Sequence, residues 1–138
     1  MKISIANDFS PITGLRHCDK SEKSGEEFYH SILNEKFYEA YTKGEKLELD
    51  LDGTIDSYSP SFLDEAVGNL VYDFTLNIVK STLSIISKRN ESWKNMIETE
   101  TYPQWEKKRK GNLPRKITDN HVAWYRYIDG EVRKNNWD

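Results

Sequence analysis

Leu47, Leu49 and Leu51 alternate with Glu48 and Asp50, the period-two pattern of a strand with one buried face. An acidic, hydroxyl-rich stretch follows. Then Phe62, Leu63, Ala66, Val67, Leu70, Val71 and Phe74 recur at three- and four-residue spacing, which places them on one helical face. Upstream, Ile3 and Ile5 alternate with polar partners and predict a first strand over residues 1–5. Residues 8–23 lack a period and contain Pro11 and Gly14, as a loop does. Ser24-Gly25-Glu26-Glu27 has the S-x-x-E form of a capping box, in which Ser and Glu satisfy each other's free amides. The helix it opens carries Phe28, Ile32, Leu33, Phe37, Ala40 and Tyr41 inward and stops at Gly44. The second helix begins either at Ser59, with Pro60 at its first position, or at Ser61, with Asp64 three residues on.

Residues 76–87 are rich in β-branched side chains, and 82–86 is the expected third strand. Asn90 can cap a further helix that turns Trp93, Met96 and Ile97 inward. Pro103 should interrupt it, with 104–110 as another short helical piece. Residues 111–120 read as a linker. Beyond them, 121–127 and 131–137 flank Asp129-Gly130, a strong hairpin signal. The repeated strand–helix order predicts an α/β domain, a small mixed sheet with helices packed on it. The hairpin should extend that sheet or close over one of its edges. The expected division is 1–110 for the domain and 111–138 for the linker and hairpin that belong to it.

The 138 residues suit one domain with a modest core. No apolar run approaches the roughly 18–20 residues that a membrane helix needs. The first five residues give way to Asn7 and Asp8 too soon for a signal peptide. A single cysteine, Cys18, excludes an internal disulfide, so the cytoplasm is the expected location. Charge is unevenly spread. Residues 1–100 hold 11 Lys and Arg against 18 Asp and Glu, and residues 101–138 hold 9 against 5, an acidic body with a basic tail.

Three clusters invite chemistry. Asp50-Leu51-Asp52-Gly53-Thr54 after a strand matches the D-x-D-G-T opening of the haloacid-dehalogenase-like phosphotransferases. There Asp50 would attack phosphorus, Asp52 would act as general acid, and Mg²⁺ would neutralise charge. The downstream acidic pair that such enzymes use for Mg²⁺ is missing after residue 87, and the plainer expectation is two carboxylates on a solvated strand face. Lys107, Lys108, Arg109, Lys110, Arg115 and Lys116, flanked by Trp105, Trp124, Tyr125 and Tyr127, could grip a nucleic-acid backbone and stack bases. The negative body opposes that, and the same patch could dock an acidic protein or a second copy. His17-Cys18-Asp19 has no partner ligands at zinc spacing, with His30 and His121 far off in sequence, so an ordinary loop is expected. No cofactor or metal is called for. The aromatics of the final hairpin suit either burial against the body or a homodimer surface.

Three segments in register, Ser24-Gly25-Glu26-Glu27-Phe28, Leu49-Asp50-Leu51-Asp52-Gly53 and Ser61-Phe62-Leu63-Asp64-Glu65-Ala66-Val67-Gly68, resemble the bacterial STAS-like domain family of unknown function, with Arg16 ahead of the first. The resemblance implies a small mixed sheet with helices on one side and a non-catalytic, regulatory interaction module. In the anti-sigma-factor antagonists of that fold, a Ser at a helix start is phosphorylated by a partner kinase of the histidine-kinase ATPase fold. Here a gap-free alignment from Asp50 puts Pro60 on the usual acceptor, leaving Ser59 and Ser61 as acceptors by location or as plain helix caps. The surface implied for a partner is Asp52, Thr54, Asp56, Ser57, Tyr58, Ser59, Ser61, Phe62 and Asp64.

Overall fold

The computed structural model describes residues 1–137. Three strands, β1 (Lys2–Ser4), β2 (Leu47–Asp50) and β3 (Leu83–Ile86), form a parallel sheet in the order β1-β2-β3. Ile3, Leu49 and Ile85 stand in register as a buried row. Lys2, Glu48 and Ser84 form the neighbouring row and face water. The period-two alternation of β2 thus decides which face the helices cover. Parallel pairing requires a crossover between successive strands, and helices supply each one.

The first crossover is a continuous helical rod. It consists of α1 (Gly25–Phe28), a π-helical turn (Tyr29–Leu33) and α2 (Asn34–Lys43). Ser24 Oγ accepts the Glu27 amide at 3.0 Å, as the capping sequence predicts, and Gly44 ends the rod. The second crossover holds the core. In α3 (Pro60–Phe74), every residue from Phe62 to Phe74 except Asp64 is buried. A helix buried nearly all round has neighbours on every side. α3 touches α1, the helix Tyr102–Lys110 and the C-terminal strand Trp124–Ile128.

The third strand forms at Leu83–Ile86, within one residue of the expected 82–86; the β-branched run before it is helical, α4 (Leu76–Thr82), and Thr82 closes that helix. Thr75, at φ +79°, breaks the chain between α3 and α4, and its Oγ accepts the Ile78 amide. One expectation about helices fails: Pro103 does not interrupt its helix. α5 (Glu91–Met96) runs through a π-helical turn (Ile97–Thr101) into α6 (Tyr102–Lys110), with the Tyr102 amide bonded to the Ile97 carbonyl five residues back. In a regular helix the ring at 103 would strike the carbonyl four residues earlier. The wider turn leaves it room.

The hairpin of β4 (Trp124–Ile128) and β5 (Glu131–Asn135) turns at Asp129-Gly130, both with positive φ, as a type I′ turn requires. Among the described residues it pairs with no strand of the parallel sheet, and the antiparallel pairing is confined to it. It lies on the helical layer instead. The Asn34 side chain donates to the Tyr125 carbonyl (3.0 Å) and accepts its amide (2.9 Å), standing in for a neighbouring strand. Tyr38 stacks on Tyr125 with ring centroids 3.6 Å apart. Among the described residues, no helix is long and apolar enough to cross a membrane.

Candidate functional site

The site sits at the carboxyl end of β2, where α/β sheets commonly bind. The loop leaving that strand is held at three points. Asp52 accepts the Lys88 and Arg89 amides, each at 3.0 Å, fastening the loop to the turn after β3. Tyr58 donates to the Leu51 carbonyl at 2.7 Å, and burial pushes its phenol well above the usual range. The Ile55 amide donates to the Pro11 carbonyl at 2.8 Å, tying the loop tip to the loop after β1. A cleft of about 190 Å³ opens between these anchors, lined by Thr54, Tyr58, Ser87, Arg89 and Trp93 among others. On its rim Ile55 is 72% exposed, and on the tethered loop Ile12 is 51% exposed.

The residues expected to meet a partner divide by role. Thr54, Asp56, Ser57, Ser59 and Ser61 reach solvent at least in part. Tyr58 and Phe62 are buried in an aromatic cluster with Phe28 and Trp93. Asp64 is taken up by Arg16 Nη1 at 2.8 Å and by the Trp105 indole N–H at 3.1 Å. Ser59 occupies the N-cap of α3 with Pro60 at the first position, the first of the two helix starts the sequence offers. Its hydroxyl makes no capping bond, however, and lies 2.7 Å from that of Ser61.

Asp50 accepts the Asp52 amide at 2.9 Å and faces Lys2 Nζ at 3.5 Å, so both acidic residues of the D-x-D pair hold backbone. Among the described residues, no third metal-ligating side chain joins them. The six basic residues of the tail do not act as one face. Arg115 is buried against Asp73 at 2.8 Å, Arg109 pairs with Glu106, and Lys108 lies over the Trp105 ring. Lys116 lies 4.0 Å from Asp19, while Lys107 and Lys110 are exposed.

Sequence spacing gave no sign of the most connected carboxylate. Glu26, fully buried, accepts the Thr118 hydroxyl (2.7 Å) and the amides of Thr118 (3.0 Å), Asp119 (3.2 Å) and Cys18 (3.2 Å). His17 Nδ1 lies 3.1 Å from one of its oxygens and His121 Nε2 2.7 Å from the other. Burial alone would raise its pKa, but the bonds from His121, Thr118 and Cys18 outweigh that and hold it at about 2. His30 stacks on His121 at 3.9 Å, and burial, aided by His121 and Arg115, lowers its pKa to about 3. The Cys18 thiol is pushed up to about 12 by burial and by the Glu26 and Glu27 carboxylates. A second buried network joins the same segments. Asp73 accepts from Tyr29 and pairs with Arg115, whose Nη1 donates to Asn69 at 3.1 Å.

The recurring motif residues have physical roles in this frame. A Cβ on Gly25 would lie 2.4 Å from the Phe62 carbonyl, so only glycine lets α1 meet the start of α3. A Cβ on Gly68 would lie 2.2 Å from the Trp105 ring. Ser24 caps, Glu26 gathers the C-terminal segment, and Asp52 fastens the loop. The model of one protein family, described as a STAS-like domain of unknown function (DUF4325), matches residues 24–93, from the Ser24 cap to Trp93 beside the cleft. No curated protein and no solved structure matches the chain. With half its length matched and the motif residues accounted for by the packing of α1 on α3 and of the loop on β3, this chain belongs to the family of STAS-like domains of unknown function.

Proposed function

We propose that this domain is a non-catalytic regulatory module that docks a protein partner through the loop 52–61 and the start of α3. The observation that carries it is the contrast between a loop held at three points and the apolar side chain it displays. Ile55 stands 72% exposed beside Asp56, Ser57 and the tethered Ile12. Pre-organised apolar surface loses little entropy on binding and has no folding role to explain it. Membership of a STAS-like family is compatible with a regulatory or interaction module, and the sequence resemblance to the anti-sigma-factor antagonists suggests an ATPase-fold kinase as the partner. Ser59 is the acceptor favoured here. Its hydroxyl caps no amide, so modification sacrifices no helix bond, and the added charge of about −1.5 to −2 would sit at the positive end of a 15-residue helix.

The test is affinity purification from the native cell with wild type, Ile55→Asp and Ser59→Glu. The expected result is one kinase-type protein retained by the wild type, lost from Ile55→Asp and altered in amount by Ser59→Glu, at unchanged melting temperature. Equal retention by all three, or none by the wild type, refutes the docking surface.

A further inference from the structure

We propose that Cys18, Glu26 and His121 form a binding site for a divalent cation of the zinc class, which joins the C-terminal segment to the start of α1. The chain has three histidines and one cysteine, and all four gather here from positions 17 to 121. One ligand atom each from Cys18, Glu26 and His121 lies within 4.8 Å of the other two. A tetrahedral ion with bonds of about 2.0–2.3 Å holds its ligand atoms roughly 3.3–3.8 Å apart, so the set reaches that spacing with shifts of about 1 Å. A second triad, Cys18, Glu27 and Asp119, shares the thiol and offers a fourth ligand, with Glu27 Oε2 already 3.8 Å from Cys18 Sγ.

The donor set names the cation. Thiolate with imidazole selects zinc-like ions, whereas magnesium and calcium sites are built from oxygen alone. The electrostatics also favour it. Three carboxylates, Glu26, Glu27 and Asp119, lie around one thiol, and His17 and His121 face the two oxygens of Glu26. On binding, the Cys18 thiol proton leaves to solvent. His121 then coordinates through Nε2 as a neutral imidazole with its proton on Nδ1. Glu26 exchanges the His121 contact for the metal and keeps the Thr118, Asp119 and Cys18 amides. The consequence is a cross-link between residues about a hundred positions apart, independent of the docking surface proposed above.

The full chain, stripped with chelator, is titrated with Zn²⁺ alone by calorimetry and with Co²⁺ alone by absorption. The expected result is one equivalent bound, a near-ultraviolet thiolate-to-Co²⁺ charge-transfer band, and a higher melting temperature with Zn²⁺. Cys18→Ser should abolish the band and weaken Zn²⁺ by at least about 10–100-fold, more than loss of an outer hydrogen-bonding partner does. Its melting temperature in chelator confirms that it folds. A wild type without the charge-transfer band, or one that binds Zn²⁺ no better than Cys18→Ser, overturns the site.

Discussion

Gly68 lies in the middle of α3, where alanine would ordinarily stabilise the helix by about 0.5–1 kcal/mol. Here the sign should reverse. The added Cβ would lie 2.2 Å from both Cε2 and Nε1 of Trp105 and 2.4 Å from Cδ2. The ring has to retreat by more than 1 Å to reach ordinary contact. It is not free to do so, because its N–H donates to Asp64, Lys108 lies 4.7 Å over its face, and Tyr72 meets it edge-on. Overpacking of this kind costs about 1–3 kcal/mol, and a weakened bond to the Asp64 carboxylate adds about 1 kcal/mol. Gly68→Ala should therefore destabilise by about 1–3 kcal/mol net of the propensity gain. In a Trp105→Ala background the same change should stabilise by about 0.5–1 kcal/mol, a coupling of roughly 2–4 kcal/mol. Urea unfolding of all four proteins, followed by circular dichroism, measures the cycle. If Gly68→Ala costs the same with and without the indole, to within about 0.5 kcal/mol, the ring is not what excludes a side chain at 68.

Two further outcomes follow from the buried polar networks. The Glu26 carboxylate, held at about 2 against an ordinary 4.5, stabilises the fold above about pH 4.5 and loses that stabilisation as pH falls from there to about 2. In chelator, the stability gap between wild type and Glu26→Gln should shrink across that window by on the order of 2–3 kcal/mol, and a gap that stays flat refutes the assignment. Arg115→Met leaves the Asp73 carboxylate buried with Arg126 Nε 3.6 Å away, and should cost about 3–5 kcal/mol by urea unfolding, partly restored by adding Asp73→Asn. A loss under about 1 kcal/mol would mean that Arg115 does not anchor the C-terminal segment.

What the sequence determined is whatever a few neighbouring residues can specify. The period of Leu47, Leu49 and Leu51 marked β2 and its buried face, Ser24 and Gly44 bounded the first helical rod, and Asp129-Gly130 turned the hairpin, because pleat, cap and turn are each set by chemistry within a few positions. The family likeness was legible for the same reason, since its motifs are short and local. Tertiary structure decided the rest. The strand expected at 82–86 formed at 83–86, but nothing in the β-branched run before it marked the helix α4, and a π-helical turn let Pro103 pass. Arg115 looked like surface charge until its place against Asp73 was known. The Glu26 cluster joins residues 92–95 positions apart, and Asn34 holds the hairpin from 91 away. No spacing rule spans such distances. A buried carboxylate is held by whichever donors the folded chain brings within 3 Å or so, and only the packed molecule supplies that list.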